Sequence, residues 1–303
     1  MIEGESVQNI KIFKENKPAL MLEGGAMRGL FTAGVLDAFM EHKLYFAKTV
    51  AISAGTMQGL GYLSRQKGRN YKANVVYSSD RRYMGLEHLI CEGSYFNFNF
   101  IYGDLTHKLI PYDFDEFNNT DMEMLAVITR CDTGECVYIS NLDMDEKKYL
   151  NACRASCAMP LFSKAVNVEG IPCVDGGVAM PLAPLPDELP FECIKPVYIL
   201  TRDIKYRKKE ISSLYCSIIK KFYGSEYPKI AEMICSIPEI YNEKVEKLLQ
   251  LEKEGKAFVI RPEHEVEVSR VERNRTKLKI LYKEGYKIGM DRFDEMMRWI
   301  REI

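Results

Sequence analysis

The first readable pattern is an uninterrupted apolar run, Ala19, Leu20, Met21 and Leu22, closed by an acidic residue and two glycines. Such a run predicts a short strand buried on both faces. Over residues 31–40, Phe31, Val35, Leu36 and Phe39 return at helical spacing. A second strand is predicted at 49–52 and a second helix at 56–65. This βαβα opening predicts a mostly parallel sheet with covered faces. Further strands are expected at 124–129, 135–139, 164–168, 171–174, 196–200 and 257–260. A helix over 148–157 ends before Pro160. Residues 95–100 alternate aromatics with asparagine, 113–121 read as an acidic loop, and 181–190 as a proline-rich loop. Beyond Thr201 the pattern becomes helical. Ile211, Leu214, Tyr215, Ile218, Ile219 and Phe222 share one helical face, 245–251 form a helix stopping near Gly255, and 269 onward reads as amphipathic helix. The expected fold class is α/β, a three-layer α/β/α arrangement around a central, mostly parallel sheet with a helical C-terminal portion. Residues 1–18 read as a polar extension. Residues 19–303 read as one domain, with an α/β core at 19–200 and a mainly helical part, 201–303, packed on it.

Composition narrows the function classes. A net charge of −1 lacks the basic footprint of a nucleic-acid binder, so no nucleic-acid partner is expected. The nine cysteines form no Cys-x-x-Cys pair, and Cys131/Cys136 and Cys153/Cys157 do not match zinc-site spacing. They are expected to be reduced and packed as small apolar residues, with no metal and no cofactor. Residues 1–17 lack the apolar core of a signal peptide, and no run is long enough to cross a bilayer. The expectation is a soluble, cytoplasmic protein. The basic stretch 205–209 ahead of the amphipathic segment 211–222 leaves a lid or a peripheral contact at the inner membrane surface as the alternative to a stripe buried in the core.

Two turns carry the candidate chemistry. Gly24-Gly25-Ala26-Met27-Arg28-Gly29 follows the first strand and opens a helix. It fails both the Gly-x-Gly-x-x-Gly and the P-loop patterns, so a phosphate cradle is disfavoured. Ala51-Ile52-Ser53-Ala54-Gly55 puts a serine between the second strand and its helix. By itself such a serine reads as a helix cap. Small neighbours make it resemble a nucleophile elbow, with Ala51 at the first glycine position and Gly55 at the second. Neighbouring parallel strands open onto one crevice, so N–H groups of Gly25 and Ala26 can face an oxyanion on a substrate attacked by Ser53. Asp175-Gly176-Gly177 reads either as a hairpin turn or as an open strand end whose carboxylate reaches a serine.

Taken together, and with Arg154-Ala155-Ser156-Cys157-Ala158-Met159-Pro160 ahead of the aspartate, these motifs resemble the patatin-like phospholipases. Those are lipid acyl hydrolases with a Ser–Asp dyad in place of a triad. The resemblance covers the first two-thirds of the chain and thins beyond Thr201. It implies a patatin-like fold and a serine acyl hydrolase of phospholipase A, lysophospholipase or carboxylesterase type, needing no calcium. Phospholipid, lysophospholipid or another acyl ester is the implied substrate. Ser53 corresponds to the nucleophile and Asp175 to the general base. Gly24, Gly25, Ala26 and Arg28 correspond to the oxyanion loop, supported by Gly29, Ala51, Gly55, Gly176 and Gly177. Ala26 stands where a third glycine is usual, costing about 1–2 kcal/mol if that position needs positive φ. Two other readings stay open: a Ser53–Asp175–His264 triad, and a non-catalytic lipid-binding or regulatory protein on the same fold.

Overall fold

The computed structural model describes residues 11–13 and 17–302, so most of the expected 1–18 extension lies outside the described residues. The strands are β1 (Lys11–Phe13), β2 (Pro18–Leu22), β3 (Leu44–Phe46), β4 (Lys48–Ile52), β5 (Glu123–Arg130), β6 (Cys136–Ser140), β7 (Val166–Val168), β8 (Ile171–Asp175), β9 (Lys195–Ile199) and β10 (Phe258–Ile260). The helices are α1 (Leu30–Glu41), α2 (Ala54–Leu63), α3 (Arg69–Tyr71), α4 (Leu86–Cys91), α5 (Phe114–Asn119), α6 (Glu146–Ser156), α7 (Ser213–Tyr223), α8 (Pro228–Lys253), α9 (Arg275–Asp291) and α10 (Phe293–Arg301). The main sheet runs β10-β9-β2-β4-β5-β8-β7, with β6 beside β5. Pairings from β10 to β5 are parallel; those of β5 with β6 and β8, and of β7 with β8, are antiparallel.

Alternation along the strands sends side chains into two cores. Leu20, Leu22 and Ala51 face a core with α1, α2 and α9, whereas Ala19, Met21, Val50 and Ile52 face one closed by α8 and the 180–189 loop. Both faces are therefore covered, giving the expected three-layer α/β/α fold. Helix α9 crosses α1 at backbone contact. A Cβ on Gly285 would stand 2.1 Å from the Phe31 carbonyl oxygen, and one on Gly34 2.1 Å from that of Tyr282.

The forked edge of β5 assembles the site. Residues 125–129 pair with β6 on one edge. The other edge is divided: β4 runs parallel along it as far as Ile52 opposite Val127, and β8 runs antiparallel from the far end to Asp175 opposite Ile128. Two strands of opposite direction thus end head to head. The residue that follows β4 is Ser53, and the last residue of β8 is Asp175.

Several expectations are corrected. Residues 113–121 are not all loop: Asp113 accepts the Glu116 N–H at 2.9 Å and caps α5. The 245–251 helix is the end of α8, which starts at Pro228 and passes through Pro238. Residues 269–274 are not helical; α9 begins at Arg275, capped by Asn274. Of the 211–222 stripe, Ile219 is buried, but Leu214 is 72% exposed and Tyr215 and Ile218 are exposed as well. Cys216 and Cys235 form a disulfide between α7 and α8; the other seven cysteines are free, so the fully reduced set expected from spacing does not hold.

The α1–α9 crossing makes a stability prediction. Gly285→Ala forces the two backbones apart and is expected to cost about 1–3 kcal/mol, read as a lowered Tm. An unchanged Tm would contradict the close approach.

Candidate active site

Ser53 joins β4 to α2 at φ 53° and ψ −124°, a conformation that non-glycine residues rarely adopt. Its side chain makes no capping hydrogen bond to α2, so the cap reading does not apply. The elbow is tied down from several sides. The Ser53 N–H donates to Ser156 Oγ at 2.9 Å, and its carbonyl accepts from Thr56 N–H (2.9 Å), Thr56 Oγ1 (2.6 Å) and Cys157 Sγ (3.1 Å). The turn also needs close strand–helix packing: a Cβ on Gly55 would lie 2.6 Å from the Leu22 carbonyl oxygen. Ala51 is accommodated, its methyl fully buried in the α1/α2 core.

Ser53 Oγ donates to Asp175 Oδ2 at 2.7 Å. Asp175 Oδ1 accepts the Gly177 N–H at 2.7 Å, and its own N–H donates to the Ala158 carbonyl at 3.0 Å. Gly176 is required by space, since a Cβ there would sit 2.2 Å from the Val127 carbonyl oxygen. The carboxylate is 5% exposed. Burial pushes its pKa up from 3.8 to about 6, against the lowering effect of the Ser53 and Gly177 hydrogen bonds.

The glycine turn lies against Ser53: a Cβ on Gly24 would stand 3.0 Å from Ser53 Cβ and 3.7 Å from its Oγ. Gly25 packs on Thr201 so closely that a Cβ would be 2.7 Å from Thr201 Oγ1. Ala26 has φ 51°, in the left-handed region, where alanine costs about 1–2 kcal/mol. The Gly25 and Ala26 N–H groups have no acceptor among the described residues. Arg28 supports the turn through Nε, which donates to the Val268 carbonyl at 2.8 Å, and the Met27 N–H reaches the Arg270 carbonyl at 3.4 Å. Gly29 packs on Ala54 and Gln58 at the start of α2.

Sequence reasoning missed the buried carboxylate beneath this turn. Glu23 is 4% exposed, and burial raises its pKa. Its Oε2 accepts the Thr201 N–H at 2.6 Å, and its Oε1 accepts the Tyr241 hydroxyl of α8 at 3.1 Å. Thr201 Oγ1 lies 3.0 Å from Oε2 and 2.8 Å from the Gly24 carbonyl oxygen. An acidic residue directly after a fully apolar strand was the available signal. Ser156 was quoted in a motif, but its bond to the elbow needed coordinates.

Ser53, Asp175 and the turn line a cavity of about 400 Å³. Met57, Phe96, Phe98, Leu161, Phe162 and Tyr215 form apolar wall, and Arg28, Arg202, Lys208 and Arg270 also line it. No histidine does. His264 is exposed, on the segment after β10. Among the described residues no cluster of candidate metal ligands occurs, and no helix is long and apolar enough to cross a membrane.

A family model described as patatin-like phospholipase matches residues 20–186, and one described as a domain of unknown function (DUF6363) matches 227–301. The chain is similar to the uncharacterized protein YjjU of Escherichia coli (strain K12), with 26% identity over 183 residues, or 56% of this chain and 48% of that protein. It thus spans about half the length of the curated relative it matches. Among solved structures, VipD from Legionella pneumophila aligns with 97% of this chain and 72% of its own, at 13% identity and a TM-score of 0.48.

The buried acid has a thermodynamic signature. Between pH 3.8 and about 6 the folded chain holds a proton that the unfolded chain has released. This group's stabilising contribution is therefore complete below pH 3.8 and is lost as pH rises through about 6. Asp175→Asn, which cannot ionise, is expected to raise stability at pH 7 by about 2–3 kcal/mol and to show no gain at pH 3.5. Equal denaturation midpoints at both pH values would refute the raised pKa.

Proposed function

The chain belongs to the patatin-like phospholipase family, and from that premise we propose that it is a serine acyl hydrolase that cleaves fatty-acyl esters of phospholipids or lysophospholipids through a Ser53–Asp175 dyad. The observation that carries the reading is the 2.7 Å hydrogen bond from Ser53 Oγ to the buried Asp175, beside a glycine turn with unused N–H groups. A carboxylate with pKa near 6 is ionised at neutral pH, yet basic enough to accept the hydroxyl proton as Oγ attacks the ester carbonyl.

In this reading the tetrahedral oxyanion is met by the N–H groups of Gly25 and Ala26, which keep their orientation because Glu23, Thr201 and Arg28 hold the turn. Asp175 then returns the proton to the departing alcohol, leaving an acyl-Ser53 ester. Water enters, Asp175 takes its proton, and the fatty acid is released with Ser53 Oγ–H restored. The apolar cavity wall suits the acyl chain. The exposed Leu214, Tyr215 and Ile218 of α7, flanked by Lys220 and Lys221, suit contact with an anionic lipid surface; Tyr215 also lines the cavity.

A fluorophosphonate probe is expected to label the wild type and not Ser53→Ala; an unlabelled wild type favours the non-catalytic alternative. Asp175→Asn is expected to lower kcat by about 10²–10⁴-fold, and wild-type kcat/KM should fall as pH drops through about 6. His264→Ala should retain activity, whereas its loss in a folded protein favours the triad.

The surface contact has a separate test. Leu214→Ser with Ile218→Ser should weaken sedimentation with anionic vesicles while the cavity stays intact. Unchanged sedimentation of a folded variant rejects α7 as the contact.

A further inference from the structure

Five cationic side chains line the cavity: Lys209, and the group Arg28, Arg202, Lys208 and Arg270. The four in that group sense one another: Arg202 and Arg270 both disfavour the charged forms of Arg28 and of Lys208. Their contacts leave the charge uncompensated. Arg28 Nε donates to a carbonyl, Arg202 lies 4.1 Å over the Tyr206 ring, Lys208 Nζ lies 4.1 Å over the Tyr241 ring, and Arg270 reaches Met159 Sδ at 3.8 Å. Among the described residues none of the four has a salt-bridge partner. Glu23 and Asp175 are the nearby buried carboxylates; the oxygens of Glu23 already accept hydrogen bonds from Thr201 and Tyr241, and those of Asp175 from Ser53 and Gly177.

Arg28, Arg202 and Lys208 are partly buried and Arg270 is exposed at the mouth of the same cavity; partly buried cations without a salt-bridge partner bind an anion more strongly than the same groups in open water. Burial lowers the pKa of Lys208 to about 8 and that of Arg28 to about 10, helped by Arg202 and Arg270 and against the raising effect of Glu23. The part of the cavity that this group lines is closed to a substrate ammonium. Its carboxylates are engaged, and the faces of Tyr206 and Tyr241, which would otherwise receive a quaternary amine, are covered by Arg202 and Lys208.

We propose that Arg28, Arg202, Lys208 and Arg270 form a headgroup subsite that selects acyl glycerides with a net-anionic phosphate over zwitterionic or neutral ones. The proposal rests on the acyl-hydrolase reading, because the scissile ester must reach Ser53 while the phosphate sits among the cations. Asp175 feels both Arg270 and Lys208, so the two subsites adjoin.

The test measures kcat/KM on lysophosphatidate, lysophosphatidylcholine and monoacylglycerol of one chain length. The wild type should prefer lysophosphatidate by about tenfold or more. Arg202→Gln and Arg270→Gln should each cut that ratio by about fivefold or more, and Arg270→Lys should keep most of it. Arg270 is exposed, so the fold is not at risk there. Equal kcat/KM on the three substrates, or a ratio unmoved in both glutamine variants, overturns the proposal and leaves the hydrolase reading standing. Calorimetric titration of Ser53→Ala with lysophosphatidate and with inorganic phosphate separates the sources: phosphate binding as tightly as the lysolipid would make this a free-phosphate site and overturn the headgroup assignment. If no ester is hydrolysed but Ser53→Ala still prefers the anionic lysolipid, the subsite stands and the hydrolase reading fails.

Discussion

The Gly55 backbone passes so near the Leu22 carbonyl that a Cβ would stand 2.6 Å from its oxygen, and the geometry around the cavity follows from that approach. Only with α2 seated this close to the end of β2 does the chain turn sharply enough to leave Ser53 at positive φ with its hydroxyl on the cavity, against Asp175. The strain is held by four hydrogen bonds of the Ser53 peptide groups, one donated to Ser156 and three accepted from Thr56 and Cys157. A residue in a sparsely populated backbone region persists when its surroundings over-determine it. The elbow is such a case: elements 100 residues apart in the chain converge on one peptide.

The second determinant is the shared edge of β5. Were β8 to occupy the same stretch of β5 but run parallel to β4, Ile171 instead of Asp175 would meet the tip of β4. Antiparallel entry of β8 reverses that, and Ile52 and Asp175 become partners of adjacent residues, Val127 and Ile128. The mixed topology is therefore what brings a serine and a carboxylate together without an intervening histidine. Once there, burial raises the carboxylate's pKa, and the site trades folding stability for basicity.

Much of this was legible in the sequence because it is local. The strand at 18–22, the turn at 24–29, the elbow and the Asp-Gly-Gly end each declare themselves within a few residues, and glycine marks positions where backbones nearly touch. What stayed hidden has physical reasons. Pro238 interrupts the helical pattern of α8, so its first half was unreadable. Residues 72–76 and 100–109 are wound as π-helix, which breaks the 3.6-residue period. Nothing local marks Glu23 as buried, because Thr201 and Tyr241, which close on it, lie some 180 and 220 positions away. The exposure of Leu214 could not be told from burial by periodicity, since an amphipathic stripe looks the same facing core or solvent.

The glycine turn is braced from the far end of the chain: Met27 leans on the Arg270 carbonyl and Arg28 on that of Val268. One of the two family matches ends at residue 186 and the other starts at 227, yet the cavity draws on both and on the stretch between them, which carries Arg202, Tyr206 and Lys208. The boundaries by which the sequence is divided therefore do not divide the site. Substitutions on either side of them meet at the same few backbone hydrogen bonds, and contacting positions are where mutational effects stop being additive. The two matched segments are halves of a single pocket.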